Sequence, residues 1–303
     1  MKISSKALKN ATLGLGAVMM MGAGQAAFAH ASILNTVNSG LAVGSTSYSR
    51  IGVNHACNRT IPATPIVAQS VVIPTINPII KTATVTGTAA GAYAALPSSA
   101  VLGDYLQASL TASQTNAHTG VVTSSLINSL AGRFQLVQSK DVFTAQIEQR
   151  NATDEVIGWV STKGGLGVNL HGEVPFRFSN TFFNPTSCLR NTVVQVAVAD
   201  ICNTQQKPPF TGLGIVPGVN LWIDNTLGGS ANFPVAAIES GAGTTNLTIN
   251  RDPIANPYPA NCAAPYGSGA TAAFDLKIQP SAADLEQLQY PGWGTPVAGN
   301  TFK

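Results

Sequence analysis

The sequence has few charged residues and, after its first 29 residues, no long apolar stretch. Charged side chains make up 10% of the 303 residues. No later segment offers the roughly 18 uninterrupted apolar residues of a membrane-crossing helix, so no span is expected and the chain should be soluble. The 16 basic and 13 acidic residues give +3, but three lysines precede residue 30, which leaves 13 of each sign. This balance indicates neither a nucleic-acid nor an anionic-membrane partner.

Methionine and closely spaced cysteine pairs are also missing after residue 29. All four methionines lie at or before Met21, which excludes a thioether site for Cu(I) and the axial Met of blue-copper centres. The four cysteines are Cys57, Cys188, Cys202 and Cys262, and no C-x-x-C spacing of a zinc ribbon or redox site occurs. An even number in an oxidising compartment predicts two disulfides, with three possible pairings.

Residues 1–29 have the three parts of a secretory signal peptide. Lys2, Lys6 and Lys9 form a positive start, an apolar run follows, and residues 27–29 are an A-x-A cleavage site. The sequence therefore predicts export to the periplasm or the extracellular space.

Cleavage after Ala29 would make His30 the first residue of the mature chain. A terminal histidine can chelate one metal ion through its α-amine and ring Nδ1, and this nitrogen pair favours Cu(II) among common divalent metals. Two other sites compete, because cleavage after Ala31 would remove the histidine and cleavage after Ala26 would leave three residues ahead of it. A histidine that follows a signal peptide by accident is the plainer interpretation.

The chain beyond residue 29 predicts an all-β fold. Thr, Val, Ala, Asn, Gly and Pro are abundant, and short β-rich runs alternate with turn residues, which favours an antiparallel sandwich. The strongest strand is predicted at residues 192–201, and a helix is predicted only at 281–288, with Ser281 as N-cap and Asp284 as capping-box acid. The other main strand candidates are residues 47–53, 65–74, 134–137, 142–147, 156–160 and 173–178.

Two regions differ from the core unit, which is predicted to span residues 30–202. Residues 75–132 are small and nearly uncharged, and they are interpreted as an insertion of a hairpin plus loops. Residues 203–303 form a C-terminal extension that either adds strands to the same sandwich or makes a small second unit. Strand candidates in this extension are residues 219–223, 235–238, 245–249 and 272–278.

Several short motifs occur in an order that is similar to one known family. They are Val53-Asn54-His55-Ala56-Cys57, Val71-Val72-Ile73-Pro74, Val156-Ile157-Gly158-Trp159 with Gly164-Gly165, Glu173-Val174-Pro175-Phe176-Arg177, and residues 196–202 ending in Cys202. Together with an initial histidine they resemble the YcnI-like copper-binding proteins, over about half of the mature chain. The chain departs from that family in having alanine for a glycine at residue 56, no Pro-Gly-Trp element near residue 134, a longer segment at 75–132, and a tail without counterpart.

The resemblance implies a cupredoxin-like or immunoglobulin-like sandwich that holds one Cu(II) in a single-histidine brace. Carried over, the site consists of the amine and imidazole of His30, the carboxylate of Glu173, and Trp159 shielding one axial side. The implied function is copper trafficking or homeostasis outside the cytoplasm, as a carrier rather than a catalyst, with another exported copper chaperone or a transporter as partner. It also implies a Cys57–Cys202 disulfide, which leaves Cys188 for Cys262.

Plainer interpretations exist for each candidate. By residue type alone, Trp159 favours core packing, and Glu173 could be an ordinary solvent-facing charge. His171 lies two residues before Glu173, hence on the same sheet face if both are in a strand, and is a candidate second nitrogen donor. His55 is expected to be structural, and His118 to face solvent.

Two other function classes compete with a copper carrier. A lytic polysaccharide monooxygenase-like enzyme would also begin with histidine, and would need His118 or His171 as a second one. A non-catalytic surface or matrix protein would fit the charge-poor composition. Hydrolase and nucleotide-binding signatures such as G-x-S-x-G, H-E-x-x-H and the P-loop do not occur.

Overall fold

The computed structural model describes residues 31–33, 37–38, 46–53, 65–107, 113–115, 122–124, 127, 129–167, 170–205, 207–210, 218–223, 228–234, 245–290, 293 and 298–303. Nearly all regular structure in these ranges is β, so the predicted all-β class is confirmed. The strands are β1 Ser32–Ile33, β2 Val37–Asn38, β3 Thr46–Val53, β4 Ala68–Val72, β5 Ile79–Thr86, β6 Ala89–Ala90, β7 Ala94–Ala95, β8 Leu106–Gln107, β9 Ser113–Thr115, β10 Val122–Ser124, β11 Phe134–Leu136, β12 Phe143–Arg150, β13 Val156–Gly164, β14 Gly172–Ser179, β15 Phe182–Phe183, β16 Leu189–Gln195, β17 Ala197–Ile201, β18 Val219–Trp222, β19 Asn246–Asn250, β20 Phe274–Gln279 and β21 Thr301–Phe302.

Three larger sheets carry this part of the fold. The four-stranded sheet has the order β1-β3-β14-β11, and the six-stranded sheet the order β18-β17-β4-β13-β12-β21. The seven-stranded sheet has the order β2-β19-β16-β20-β5-β6, with β7 also paired to β5. Adjacent strands are antiparallel except for the pairs β16–β20 and β2–β19, which are parallel. Multiple antiparallel sheets packed face to face agree with the predicted sandwich.

The four-stranded sheet packs its apolar face against the six-stranded sheet. In β14, Val174, Phe176 and Phe178 are buried, whereas the alternate residues Glu173 and Arg177 are not. The Phe176 ring lies 5.7 Å, centroid to centroid, from the Trp159 ring of β13 in the opposing sheet. Alternation of side chains along β14 therefore gives this strand one face in the core and one in solvent.

The six-stranded sheet is covered on both faces. Every residue of β4 and β17 is buried. The face away from Trp159 packs against an apolar group that includes Phe210, Leu285 and Leu288 from the C-terminal extension. Burial on both sides explains why the residues of Ala197–Ile201 are all apolar except Asp200, instead of alternating between apolar and polar.

The strand predicted at residues 192–201 is two strands in different sheets. β16 pairs with β19 and β20, while β17 pairs with β4 and β18. Val196 lies between them, and its backbone N–H donates to the Thr245 carbonyl oxygen at 3.0 Å. One unbroken β-rich stretch thus crosses from one sheet to the other, because a strand can change sheets at a local bend without a turn motif.

Segments from the predicted insertion and extension meet in the seven-stranded sheet. β5 pairs with β20 over six residue pairs, and β19 and β20 flank β16 on its two sides. The α-helix in the described chain, Ala282–Leu285, is shorter than predicted but has the predicted capping box between Ser281 and Asp284. A 3₁₀ turn occupies Leu102–Asp104. The predicted strand at 235–238 lies outside the described residues.

One predicted disulfide is confirmed. Cys188 and Cys262 are bonded, with Cα atoms 5.6 Å apart and 74 positions apart in sequence. Cys202 is also disulfide-bonded, and its predicted partner Cys57 falls outside the described ranges. Among the residues that the structure places, no helix is long and apolar enough to cross a membrane.

Candidate functional site

The site around Glu173 is built on the outer face of the four-stranded sheet. Register pairs Ser32 with Gly52, and Gly52 with Glu173, so all three residues occupy one row across β1, β3 and β14. Ala31 is buried and Ile33 packs against the core, so Ser32 between them faces the side that Glu173 occupies. The start of the described chain therefore lies two strands, or about 10 Å, from Glu173 on the same face.

Two basic side chains surround the Glu173 carboxylate. Arg50 Nε lies 3.1 Å from Glu173 Oε1, and His171 Nε2 lies 3.4 Å from the same oxygen. These side chains are 47%, 36% and 52% exposed for Arg50, Glu173 and His171. An ion pair so open to solvent is worth about 1 kcal/mol or less, so a bound cation could displace Arg50 from Glu173.

An open cleft of about 380 Å³ adjoins this cluster. Its apolar lining includes Val142 and Leu166, and its polar lining consists of Asp141, His171 and Glu173. The Asp141 carboxylate accepts a 2.6 Å hydrogen bond from Ser139 Oγ, which holds it on the β11–β12 turn. One wall of the cleft thus carries an imidazole and a carboxylate in contact, and the cleft gains a second negative charge from Asp141.

Trp159 lies elsewhere in the fold. It is fully buried in the main core, where its ring contacts Phe176. Because Phe176 and Glu173 are three positions apart on β14, they point to opposite faces of the sheet. The structure therefore does not bring Trp159 and Glu173 together, and the backbone of β14 lies between the two side chains.

The described residues alone offer too few ligands for a metal ion on this surface. His30, His55 and His118 lie outside the part of the chain that the structure describes. Within that part, no three His, Cys, Asp or Glu side chains form a group that could hold a metal ion. Glu173 and His171 nevertheless fit a Cu(II) site chemically, since an accessible carboxylate oxygen and imidazole nitrogen are suitable tetragonal donors. Further donors would have to come from residues beyond these two.

A buried carboxylate on the six-stranded sheet was not singled out by the sequence. Asp200 accepts hydrogen bonds from Gln69 Nε2 at 2.9 Å and from Trp222 Nε1 at 2.6 Å. These bonds connect β4, β17 and β18 inside the core. Asp200 is therefore explained as a cross-strand tie, although a lone acid in an apolar run is a sequence signal that a partner must exist.

No known protein family, curated protein or solved structure matches this chain. The features that bear on function are therefore the residues around Glu173 and the sequence ahead of β1.

The sequence pattern did not single out Arg50 or Asp141, which lie beside Glu173 and His171. The alternation of residues 47–53 places Arg50 on the polar face of β3, a usable signal once β3 is paired with β14. Asp141 has no such signal, because its approach to His171 depends on how the β11–β12 turn packs beside the loop before β14.

Proposed function

We propose that the exported chain binds one Cu(II) ion through His30 and Glu173, and that it handles copper outside the cytoplasm as a carrier. The observation that carries the proposal is the row Ser32–Gly52–Glu173. Ser32, the third residue after the predicted cleavage site, shares a sheet face with Glu173, the carboxylate that the resemblance assigns to copper.

Side-chain alternation supports the reach of His30 to this face. Ala31 points into the core and Ser32 points away from it, as their burial shows. If extended backbone continues for two residues before Ser32, residue 30 shares the outer face with Ser32 and Glu173. For His30 to share the face of Glu173, β1 has to continue regularly; for its α-amine to bind copper, cleavage has to fall after Ala29.

The chemistry of the donor set fits Cu(II). An α-amine nitrogen, an imidazole nitrogen and a carboxylate oxygen are the mixed N,O set that tetragonal Cu(II) favours. Copper would replace Arg50 as the positive partner of Glu173, so the carboxylate keeps a compensating charge in both states. Trp159 is assigned no contact with the ion, because its ring supports β14 from the core side through Phe176.

The test is intact mass of the exported protein followed by copper titration. We expect a chain that begins at His30 and binds one Cu(II) per molecule. A matched variant with one extra residue ahead of His30 keeps every side chain but moves the α-amine out of the chelate, so its affinity should fall steeply. A mature chain that begins at Ser32, or equal binding by the extended variant, would rule the proposal out.

A further inference from the structure

We infer that His171 supplies a second imidazole to the copper ion that Glu173 holds. This inference rests on the proposed function and deepens it by naming a further ligand. It starts from the contact between His171 and Glu173. His171 lies just before β14, and Glu173 is the second residue of that strand.

The distance between the two side chains is close to that of neighbouring metal ligands. Donor atoms that bind one ion at about 2.0–2.1 Å lie roughly 3 Å apart when they occupy adjacent coordination positions. His171 Nε2 and Glu173 Oε1 are 3.4 Å apart in the ion-free protein. A cation at Glu173 could therefore be reached by His171 with a small side-chain rotation and no movement of β14.

The strand register is compatible with the same residue. Ser32 pairs with Gly52 across β1 and β3, and Gly52 pairs with Glu173 across β3 and β14. His171 comes two positions before Glu173 and contacts it. If β1 continues in the same register for two residues before Ser32, the proposed first ligand faces His171 about 10 Å away, across two strand spacings. Two imidazoles facing each other over that distance can bind one ion from opposite sides.

The negative charges around His171 favour the binding of a cation. Glu173 and Asp141 both line the cleft beside His171, and the described positive charge at this place is Arg50, on a half-exposed side chain that can swing away. The second imidazole would give a site of three nitrogens and one carboxylate oxygen, a set that suits Cu(II) better than Mg²⁺ or Ca²⁺.

The experiment compares His171→Ala with a matched His118→Ala control in the processed full chain. Calorimetric titration measures Cu(II) affinity, and EPR superhyperfine structure counts the nitrogens bound to copper. We expect His171→Ala to bind copper at least about tenfold more weakly and to lose one nitrogen from the spectrum, while His118→Ala stays like the wild type. His171 is 52% exposed, so its truncation should leave the thermal unfolding transition in place.

The outcomes separate this inference from the function on which it rests. Wild-type affinity and spectrum in His171→Ala, with weakened binding by the chain carrying an extra first residue, would overturn the role of His171 alone. Weak binding in His171→Ala with undiminished binding by the extended chain would support His171 and remove His30 from the site. A wild-type protein that binds no copper would overturn both.

Discussion

Arg190 and Asp275 form a bidentate ion pair that joins β16 to β20. Arg190 Nε donates to Asp275 Oδ1 at 2.9 Å, and Arg190 Nη2 donates to Asp275 Oδ2 at 2.6 Å. The side chains are only 15% and 5% exposed. The hydrogen bond to Asp275 raises the pKa of Arg190 above its ordinary value. This pair joins residues on the two sides of the predicted boundary at residue 202, at the parallel strand pair of the seven-stranded sheet.

Breaking this pair on one side should destabilise the protein strongly. Asp275→Asn removes the negative charge and leaves the part-buried Arg190 guanidinium without its counterion. Breaking a fully buried pair costs about 3–5 kcal/mol of unfolding free energy, so we expect a loss near or below the lower end of that range. Urea denaturation measures the loss. Asp154→Asn is the control, because Asp154 pairs with Lys303 at an exposed surface and should change stability little. Equal midpoints for the two variants would contradict the importance of the buried pair.

Asp284 gives a prediction for the pH dependence of stability. Its carboxylate accepts hydrogen bonds from the backbone N–H groups of Thr75, Ile76 and Ser281 and from Ser281 Oγ, at 2.7–2.9 Å. Burial nevertheless raises the pKa of Asp284 above its ordinary value. The folded state therefore holds this proton to higher pH than the unfolded state does, and the stabilisation from Asp284 is lost as pH rises through the raised pKa.

The comparison that isolates this effect is wild type against Asp284→Asn, which keeps the shape without titrating. The difference in unfolding free energy, wild type minus variant, should fall as the pH rises above about 4 and through the raised pKa. Denaturant unfolding at several pH values measures it. A difference that rises over this range would show that the four hydrogen bonds outweigh burial and lower the pKa instead.

The Cys188–Cys262 disulfide should contribute several kcal/mol. It spans 74 positions, and closing a loop of that length in the unfolded chain corresponds to about 4 kcal/mol on the chain-entropy model. Replacing both cysteines with serine should lower the unfolding free energy by that order without changing the β-sheet circular dichroism of the folded state. Peptide mapping of the unreduced wild type supplies the control, since recovery of a Cys188–Cys202 peptide would refute the pairing.

Substitution of Trp159 should lower the stability of the protein and leave copper binding unchanged. Trp159→Ala opens a cavity in the main core and should cost about 3–5 kcal/mol. Trp159→Phe should cost less, roughly 1–2 kcal/mol, because the ring contact with Phe176 is kept. Its indole Nε1 also has no hydrogen-bond partner in the described structure. Copper titration of the folded Trp159→Phe variant should match wild type, and a weakened site would return Trp159 to the metal centre.

Glu173→Gln should weaken Cu(II) binding and change the EPR spectrum. It removes the anionic ligand of the proposed site while keeping the length of the side chain. Glu155→Gln, which changes an exposed carboxylate on the turn before β13, is the matched control. An unchanged spectrum in Glu173→Gln would make Glu173 an ordinary surface partner of Arg50 and would leave the proposed role of His30 in place.

Sequence patterns predicted single strands well. Residues 173–178 were expected to form a strand, and the structure confirms it; in that strand Phe176 and Phe178 face the core while Glu173 faces solvent. Trp159 packs in the core, as its residue type alone favours. These assignments succeed because side-chain direction alternates along any strand, whatever the strand pairs with.

The same patterns could not show where a strand changes sheets. Residues 192–201 look like one strand, yet Val196 separates β16 from β17. No glycine, proline or turn motif marks the bend. The bend exists because β16 and β17 pair with strands of different sheets. One partner of β17 is β4, which lies more than a hundred residues earlier in the chain.

What the sequence by itself determined is local: the strand-forming runs, the cap at Ser281, and an even set of cysteines. A signal peptide that ends just before His30 stays a prediction. What only the tertiary structure decided is which of these local features meet. His171, Glu173 and Arg50 form one cluster because β3 and β14 pair in a particular register, and a shift of one residue would send their side chains to the opposite face. Trp159 and Glu173 stay apart because the side chains of β14 alternate between its two faces. Phe176 contacts Trp159 in the core, whereas Glu173 points to solvent.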